Sequence, residues 1–485
     1  MNLRDLRILT QTRRHFLRQG GLSLGAIALS QLRGEKVQAA LSGAETSPLT
    51  PRPPARPARA KSVIYLHMSG GPPQHELFDW KPRLRELHRQ DCPEEFLKGQ
   101  RFAFIRGVPK LLGTPYSFAR YGQNGAPVSE LLPLFSQKVD EVTFVRSMVT
   151  PEFNHAPAEL FLHTGDNRPG HASIGSWATY GLGSMNQNLP GFMVLVSGGA
   201  DPTPGISAWG SGPLPSVYQG VQCRSGADPI LFLSNPPGLS RPLRRKALDA
   251  LLELNQVELE RVGDPETRTR IAQYELAYRM QVSVPEVMDI RRENAKNLER
   301  YGAQPGAVSF ANNCLLARRL VENGVRYVQL FDWGWDCHGS NEENDLLKHL
   351  PKKCREIDRP ISALLEDLKA RGLLDETLVV WGGEFGRTPM SQEYKGLKLV
   401  GRDHHPHSFT IWLAGAGVKR GFSYGSTDEL GYSVAENKVG VHDLQATVLH
   451  LLGLDPEALV YRSQGLNHRL IGPADGPRVV QEILS

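Results

Sequence analysis

Short apolar runs recur along the chain and predict buried strands. Each run is rich in β-branched or aromatic residues, and most are followed by Gly or Pro, as is typical where a strand ends. The runs are SVIYLHM (62–68), EVTFVRSM (141–148), GFMVLVS (191–197), VRYVQLF (325–331), TLVVW (377–381) and SFTIWLAG (408–415). Helical patterns such as residues 359–375 separate the later runs. This alternation predicts an α/β fold with a mainly parallel central sheet and helices on both faces.

A different pattern fills residues 242–301, where long charged amphipathic segments replace the apolar runs. These segments predict a helical insertion over the sheet. Their charges are typical of solvated helix faces and do not by themselves indicate a binding surface. Residues 61–485 therefore fit one large α/β domain that contains this insertion.

The first 39 residues have the pattern of a twin-arginine export signal. Arg13-Arg14 and then Phe16-Leu17 precede a mildly apolar run at 20–29, which is too short for a stable membrane span. A Pro-rich basic segment follows at 40–60 and predicts an extended linker. We therefore expect export by the twin-arginine machinery, a periplasmic or extracellular location and no transmembrane domain in the mature chain. The sequence leaves open whether the leader is cleaved or retained as an anchor.

The net charge argues against some classes of partner, and the cysteine spacing argues against a disulfide framework and a zinc ribbon. The formal net charge of +5 resides in residues 1–39, which hold seven basic and two acidic side chains. The mature chain is close to neutral, so nothing favours a nucleic acid or an anionic membrane surface. The five cysteines are widely spaced without a CxxC pair, and they predict neither a disulfide framework nor a zinc ribbon.

Polar residues follow the first two predicted strands, at the sheet edge where ligands of parallel sheets bind. Ser69 and Gly70 begin a Gly-rich turn that allows close approach of a ligand, and His75 follows soon after. Asn154 and His155 begin a helical segment, where converging N–H groups favour an anion. Ser69, Gly70, His75 and Asn154 are thus candidate substrate-binding residues. Asn154 as a simple helix cap beside a structural His155 is an equally weighted alternative.

Three later segments add carboxylates and imidazoles to the same edge. They are WDCHG (335–339), GGEFGRTP (382–389) and DHHPH (403–407). Each alone also fits a polar turn, a buried ion pair or a surface loop. Together they predict a metal site, because their side chains follow or precede strands that meet along one edge. Imidazoles with carboxylates suit zinc or manganese best, and calcium is a further candidate.

Taken in order, these motifs resemble a large exported family catalogued as domain of unknown function 1501, within the alkaline phosphatase-like and sulfatase-like superfamily. The resemblance covers nearly the whole chain. It consists of the leader, SGGPPQHELFD, NHAPAELFLHTG, WDCHG, GGEFGRTP and DHHPHSFTIWLAGAGVKRG. It implies an alkaline phosphatase-like fold and an exported metal-dependent hydrolase of phosphate or sulfate esters, in which one or two divalent metals hold the ester. The substrate would be a small-molecule or polysaccharide ester.

The resemblance also implies roles for individual residues. The implied metal ligands are Asp336, His338, Glu384, His405 and His407, with Glu384 similar to the carboxylate of a second metal set. Arg387 would act on the substrate as an oxyanion clamp.

The nucleophile position departs from the superfamily pattern. Aligning His163-Thr164-Gly165 with the end of the sulfatase signature puts His155 where a Ser, Thr or Cys usually attacks. Three alternatives follow: His155 is catalytic as a base or replacement nucleophile, water activated by the metal attacks, or the site binds without turnover. The last alternative would make the protein a non-catalytic extracytoplasmic binding protein.

Overall fold

The structure is a computed structural model, and it describes residues 47–99, 102–223, 230, 234–236, 238–263, 265–394, 397–472 and 476–485. The predicted leader, residues 1–39, lies outside the described residues. Within the described ranges, none of the helices combines the length and the apolar character needed to cross a membrane.

The central sheet has nine strands in the described chain. In order they are β1 (Ser62–Ser69), β2 (Val142–Val149), β3 (Phe192–Ser197), β4 (Val221–Cys223), β5 (Tyr327–Trp333), β6 (Thr377–Gly382), β7 (Phe409–Ala414), β8 (Phe422–Tyr424) and β9 (Val439–Gly440). Across the sheet the order is β8-β2-β7-β6-β1-β5-β3-β4, with β9 beside β2. All six apolar runs form strands of this sheet, which confirms their prediction.

The sheet is mainly parallel, as predicted, with one internal exception. β1 pairs in parallel with β5 and β6, and β3 pairs in parallel with β4 and β5. β7 lies between β6 and β2 and is antiparallel to both. The amino end of β7 therefore lies at the edge where the carboxyl ends of its neighbours finish. This direction brings the segment before β7 to the ligand-binding edge.

Helices cover both faces of the sheet, as predicted. In the described residues they are α1 (Gln74–Leu77), α2 (Pro82–Glu86), α3 (His155–Thr164), α4 (Ile174–Leu182), α5 (Arg241–Val262), α6 (Pro265–Met288), α7 (Ala295–Tyr301), α8 (Phe310–Glu322), α9 (His349–Ala370) and α10 (Val441–Leu451). On one face His163 of α3 packs against Tyr65 and Phe331. On the other, Lys353 of α9 pairs with Asp332 at 2.6 Å.

Short two-stranded ribbons lie outside the central sheet. They pair Phe118–Tyr121 with Ala126–Ser129, Gly386–Arg387 with His404–His405, Ser426–Thr427 with Val434–Glu436, and Tyr461–Ser463 with Leu466–His468. The ribbon of residues 386–387 and 404–405 is antiparallel and joins two of the motif segments directly.

The region from 242 to 301 contains helices, as its charged amphipathic pattern predicts. Most of its described residues belong to α5, α6 and α7, and α6 packs on α8 while α7 packs on α9. Arg318 of α8 is 2% exposed and pairs with Glu293 at 2.7 Å and with Asp367 of α9 at 3.1 Å. Removing one partner from such a buried network costs about 3–5 kcal/mol, so this network holds the inserted helices to the rest of the domain.

Part of the predicted linker is described and contacts the α/β domain. The backbone N–H of Arg52 donates to Leu182 O at 2.9 Å, and that of Arg56 donates to Gly453 O at 3.0 Å. Residues 48–60 thus run along the surface of the domain over this stretch.

Candidate metal centre

Four side chains from three segments converge at the carboxyl edge of the sheet, and we call them the outer cluster. His155 is the first residue of α3, Asp336 and His338 follow β5, and His404 precedes β7. The Nε2 atoms of His155, His338 and His404 lie 3.2, 2.8 and 3.4 Å from Asp336 Oδ1. Four potential donor atoms therefore surround one point.

The three imidazoles of the outer cluster are held by hydrogen bonds at their other nitrogen. The Nδ1 contacts are His155 to Glu384 Oε1 at 2.5 Å, His338 to Gln392 Oε1 at 2.5 Å, and His404 to the carbonyl oxygen of Phe153 at 2.7 Å. These oxygens accept hydrogen bonds, so each Nδ1 donates and each Nε2 is free to present its lone pair to the centre. Metal-binding histidines in proteins are fixed in this way.

The spacing of the donor atoms fits a divalent metal. His338 Nε2 and His404 Nε2 are 2.9 Å apart, a separation at which two lone pairs repel unless a proton or a cation lies between them. A metal bound about 2.0–2.1 Å from each donor puts neighbouring donors about 2.9–3.4 Å apart, from octahedral to tetrahedral angles. The measured separations to Asp336 Oδ1, 2.8 to 3.4 Å, span the same range. The outer cluster is therefore a candidate metal site.

Arg387 fixes the carboxylate of the outer cluster. It is fully buried, and its Nη2 contacts Asp336 Oδ1 at 2.5 Å. Its guanidinium also donates to the carbonyls of Gly71 at 2.9 Å, Arg402 at 3.1 Å and Gly70. Burial alone would raise the pKa of Asp336, but Arg387 and the histidines hold it far below its usual value. All three nitrogens of Arg387 have acceptors, so the structure places Arg387 behind Asp336 and not as a free donor at the site.

His155 stands between two carboxylates. Its Nδ1 donates to Glu384, and its Nε2 faces Asp336. Burial lowers the pKa of His155, but the contacts with Asp336 and Glu384 outweigh burial and raise it to about 9. Burial likewise raises the pKa of Glu384, and the bond from His155 more than reverses this. Without a metal, His155 therefore keeps an extra proton, and its Nε2 points at the centre of the outer cluster, where a bound metal would replace that proton.

The segment DHHPH contributes His404 to the outer cluster, whereas the predicted ligands His405 and His407 lie apart from it. Successive side chains of a strand point to opposite faces, and residues 404–405 are paired in a ribbon. His404 therefore faces the outer cluster, while His405 turns away and its Nε2 donates to Tyr432 O. His407 lies in a surface groove beside His442.

The four predicted substrate-binding residues have different surroundings. Gly70 contacts the site, because its N–H donates to Glu384 Oε1 at 3.0 Å. Ser69 is buried, and its hydroxyl has no hydrogen-bond partner among the described residues. Asn154 is exposed and makes no side-chain cap to α3. His75 is buried away from the outer cluster and contacts a backbone carbonyl at 3.0 Å.

The sequence predictions missed two fully buried residues below the outer cluster, His67 and Glu159, which lie beside Glu384. Both interrupt apolar stretches, SVIYLHM and AELFLHTG. An imidazole or a carboxylate at a core position is uncommon, and this signal could have identified them. His404, His405 and His407 are all histidines of one short segment, so residue type alone could not show which of them belongs to the outer cluster.

The outer cluster is reachable from solvent. The Asp336 side chain is 32% exposed. Phe104 and Phe153, 51% and 41% exposed, flank the cluster. The Phe104 ring centre lies 4.9 Å from that of His338, and Phe153 holds His404 through its carbonyl. A ligand can therefore approach Asp336 past two aromatic side chains.

Comparison with known proteins gives one family match and several similar solved structures. The family model described as "Protein of unknown function (DUF1501)" matches residues 60–484. A search of curated proteins finds no significant match. Similar structures include a protein in the alkaline phosphatase superfamily from Vibrio parahaemolyticus (10% identity, 89% of this chain and 75% of that chain, TM-score 0.36). A second is the lipoteichoic acid synthase LtaP from Listeria monocytogenes (13% identity, 85% of this chain and 74% of that chain, TM-score 0.32). A third is the PsFucS1 sulfatase from Pseudoalteromonas sp. (12% identity, 82% of this chain and 68% of that chain, TM-score 0.34). The family match spans most of the chain, and the protein belongs to the DUF1501 family.

Proposed function

We propose that the outer cluster binds a divalent metal and that the protein hydrolyses phosphate or sulfate esters there. The convergence of three imidazole Nε2 atoms with Asp336 at a solvent-reachable edge of the sheet supports this proposal. Three imidazoles with one carboxylate suit zinc best and manganese next, whereas calcium prefers oxygen ligands. When bound, such a metal supplies a Lewis acid for the ester oxygen and for an attacking water.

The residues around the metal position have supporting roles in this proposal. Glu384 holds the Nδ1 proton of His155, which keeps the Nε2 lone pair directed at the metal position. Arg387 orients Asp336 and compensates its charge. Since His155 is then a ligand, it is not the nucleophile, and water attacks the ester. Phe104 and Phe153 flank the approach to the metal position.

A non-catalytic binding protein is the second candidate function. The observation that favours it concerns His155, which the motif alignment puts at the nucleophile position of the superfamily and whose two ring nitrogens both contact carboxylates. A metal centre of this kind can hold a phosphate or sulfate group on an extracellular polysaccharide without cleaving it. Both candidate functions predict ester binding, so only a measurement of ester turnover distinguishes the hydrolase from the binding protein.

The proposal is tested by ester turnover in metal-free and metal-loaded protein. Chelator-treated protein should be inactive on aryl phosphate and aryl sulfate esters, and zinc or manganese should restore turnover. Asp336→Asn should lower turnover by about 100-fold or more, because loss of even a residue that supports a metal ligand typically costs about 10–100-fold. Asp375→Asn is the matched control, since Asp375 is an exposed acid whose partner is Arg420. Bound metal without turnover on either ester would support the binding protein, and an active Asp336→Asn would contradict the site.

The cellular setting is part of the proposal and rests on the leader. The pair Arg13-Arg14 with its apolar run supports export by the twin-arginine machinery to the periplasm or beyond. The substrate would then be an extracytoplasmic small-molecule or polysaccharide ester. The distribution of the protein between cytoplasmic and periplasmic fractions checks this setting, and retention in the cytoplasm would contradict it.

A further inference from the structure

The first helix of the charged insertion, α5, exposes a continuous apolar face. The helix has 22 residues and is described throughout, yet Leu248 is its one buried residue. On another face, exposed apolar residues recur three or four positions apart, which aligns them along the helix. They form the α5 stripe, whose leucines and valine are 42 to 63% exposed: Leu243, Ala247, Leu251, Leu254 and Val257. Single exposed apolar residues are ordinary, whereas a continuous stripe indicates a contact surface.

The shape of the α5 stripe fits another helix. From residue 243 to residue 257 it is about 21 Å long, at about 1.5 Å per residue, and it is only one or two side chains wide. Spacings of three and four residues are typical of the seam between two paired helices. A different side of α5 packs on α6. The α5 stripe is therefore left uncovered in the described part of the chain.

The charges of α5 are arranged against its macrodipole. Residues 241–250 carry four basic side chains and one acidic one, whereas residues 251–262 carry three acidic side chains and one basic one. A helix is stabilised by the reverse arrangement, with acidic side chains near its N-terminus and basic ones near its C-terminus. A second copy of α5 packed antiparallel would place its acidic half beside the basic half of the first and would oppose the two macrodipoles. The helix is therefore electrostatically complementary to its own antiparallel copy.

One edge of the α5 stripe shows this complementarity in individual residues. Lys246, Glu253 and Glu260 are seven positions apart and so lie along the same edge. Among the described residues, Lys246 and Glu253 make no hydrogen bond or ion pair, and Glu260 accepts a bond from Gln256 at 3.2 Å. In an antiparallel pair related by a twofold axis, this edge of one copy lies against the same edge of the other. Lys246 of each copy then lies near acidic side chains of the other copy.

We propose that the α5 stripe is a homodimer interface, in which the α5 helices of two copies pack antiparallel about a twofold axis. A twofold interface must be self-complementary, and the α5 stripe meets this requirement in its apolar residues and in its charges. The interface lies in the helical insertion and uses none of the residues of the outer cluster. It is therefore independent of the proposed function.

Sedimentation of the full chain over a range of concentrations tests the interface. The parent should show a reversible equilibrium between monomer and dimer. Val257→Asp should raise the dissociation constant at least about tenfold, because each copy then places an unpaired carboxylate in the apolar seam. Val308→Asp is the matched control: Val308 is 68% exposed and lies outside α5, so the dissociation constant should not change. Circular dichroism establishes that each variant is folded.

Charge reversal tests the antiparallel arrangement. Lys246→Glu makes all three positions of the edge acidic, and the double variant Glu253→Lys with Glu260→Lys makes all three basic. Each variant alone should dimerise at least about tenfold more weakly than the parent, because like charges then face each other across the axis. An equimolar mixture of the two should recover dimers, since an acidic edge then faces a basic one.

Three results would overturn the proposal. The first is a parent that stays monomeric at every concentration. The second is a dimer that Val257→Asp leaves intact, because its interface, including one formed by the leader, would then lie elsewhere. The third is a mixture of the two charge-reversed variants that dimerises no better than either variant alone, because antiparallel pairing of this edge requires recovery.

Discussion

At the scale of single residues, His155 connects Asp336 of the outer cluster to the buried Glu384. Its Nε2 faces Asp336, and its Nδ1 donates to Glu384, which in turn faces His67. Two carboxylates around one imidazole stabilise its protonated form, which raises the pKa of His155 to about 9 in spite of burial. A metal and a proton therefore compete for His155 Nε2.

This competition predicts a pH dependence of metal affinity. Below pH 9 the metal-free protein keeps the extra proton on His155, and binding must displace it, so apparent affinity should rise as pH rises. One displaced proton gives a rise of about tenfold per pH unit. His404 adds no slope between pH 6 and 9, because burial lowers its pKa to about 4. Competition with a chromophoric chelator measures the affinity. A plateau that begins near pH 6.5, the ordinary value for histidine, would contradict the role of His155.

Some site residues were predictable one by one and others were not. Asp336, His338 and Glu384 follow apolar runs directly, so their place at the sheet edge follows from the strand prediction. His404 and His405 have the same chemistry and adjacent positions. Only the pairing of residues 404–405 with 386–387 decides which of them faces the outer cluster, and that register involves distant segments. Whether these residues bind metal remains a prediction.

At the scale of elements, the site depends on close packing between the loops that follow β1 and β5. Gly70 follows β1 with a φ of +121°, and a Cβ built there would lie 2.4 Å from Asp336 N and 2.7 Å from Trp335 C. Only glycine fits this contact. The position of Asp336 is thus set by the backbone of a neighbouring strand's loop.

We expect Gly70→Ala to lower the free energy of unfolding by at least about 3 kcal/mol, since it adds a backbone clash to a strained φ. It should also weaken metal binding, because the clash moves Asp336. Gly107→Ala is the matched control: its φ is +69°, but nothing lies within 4 Å of the added Cβ. The control should cost only about 1 kcal/mol and leave metal affinity unchanged. Denaturant unfolding and metal titration measure both effects, and equal costs for the two variants would contradict the packing explanation.

Strand positions were predictable, but strand direction was not. The runs that became β1, β2, β3, β5, β6 and β7 are long and apolar enough to be identified without a structure. The antiparallel direction of β7 has no local signal, because an apolar run is the same in either direction. The short strands β4, β8 and β9 have two or three residues each, which is too few to show an alternating pattern of apolar and polar residues.

At the scale of the whole molecule, the fold gathers distant segments at one sheet edge. The members of the outer cluster span residues 155 to 404, and they come from the start of a helix, the loop after β5 and the ribbon before β7. The family match over residues 60–484 covers all of them. The order of the motifs therefore predicts the family and the sheet edge at which the site lies. Which side chains offer donor atoms there can be seen only in the folded structure.

The central claim is that the outer cluster, and not the neighbouring histidines, holds a metal. Elemental analysis of purified His404→Ala and His407→Ala proteins tests it most directly. The two residues share a type and a loop, but only His404 belongs to the outer cluster. The account predicts that His404→Ala loses one metal ion per chain and that His407→Ala keeps the parent content. Equal metal content in both variants, or loss in His407→Ala alone, would contradict it.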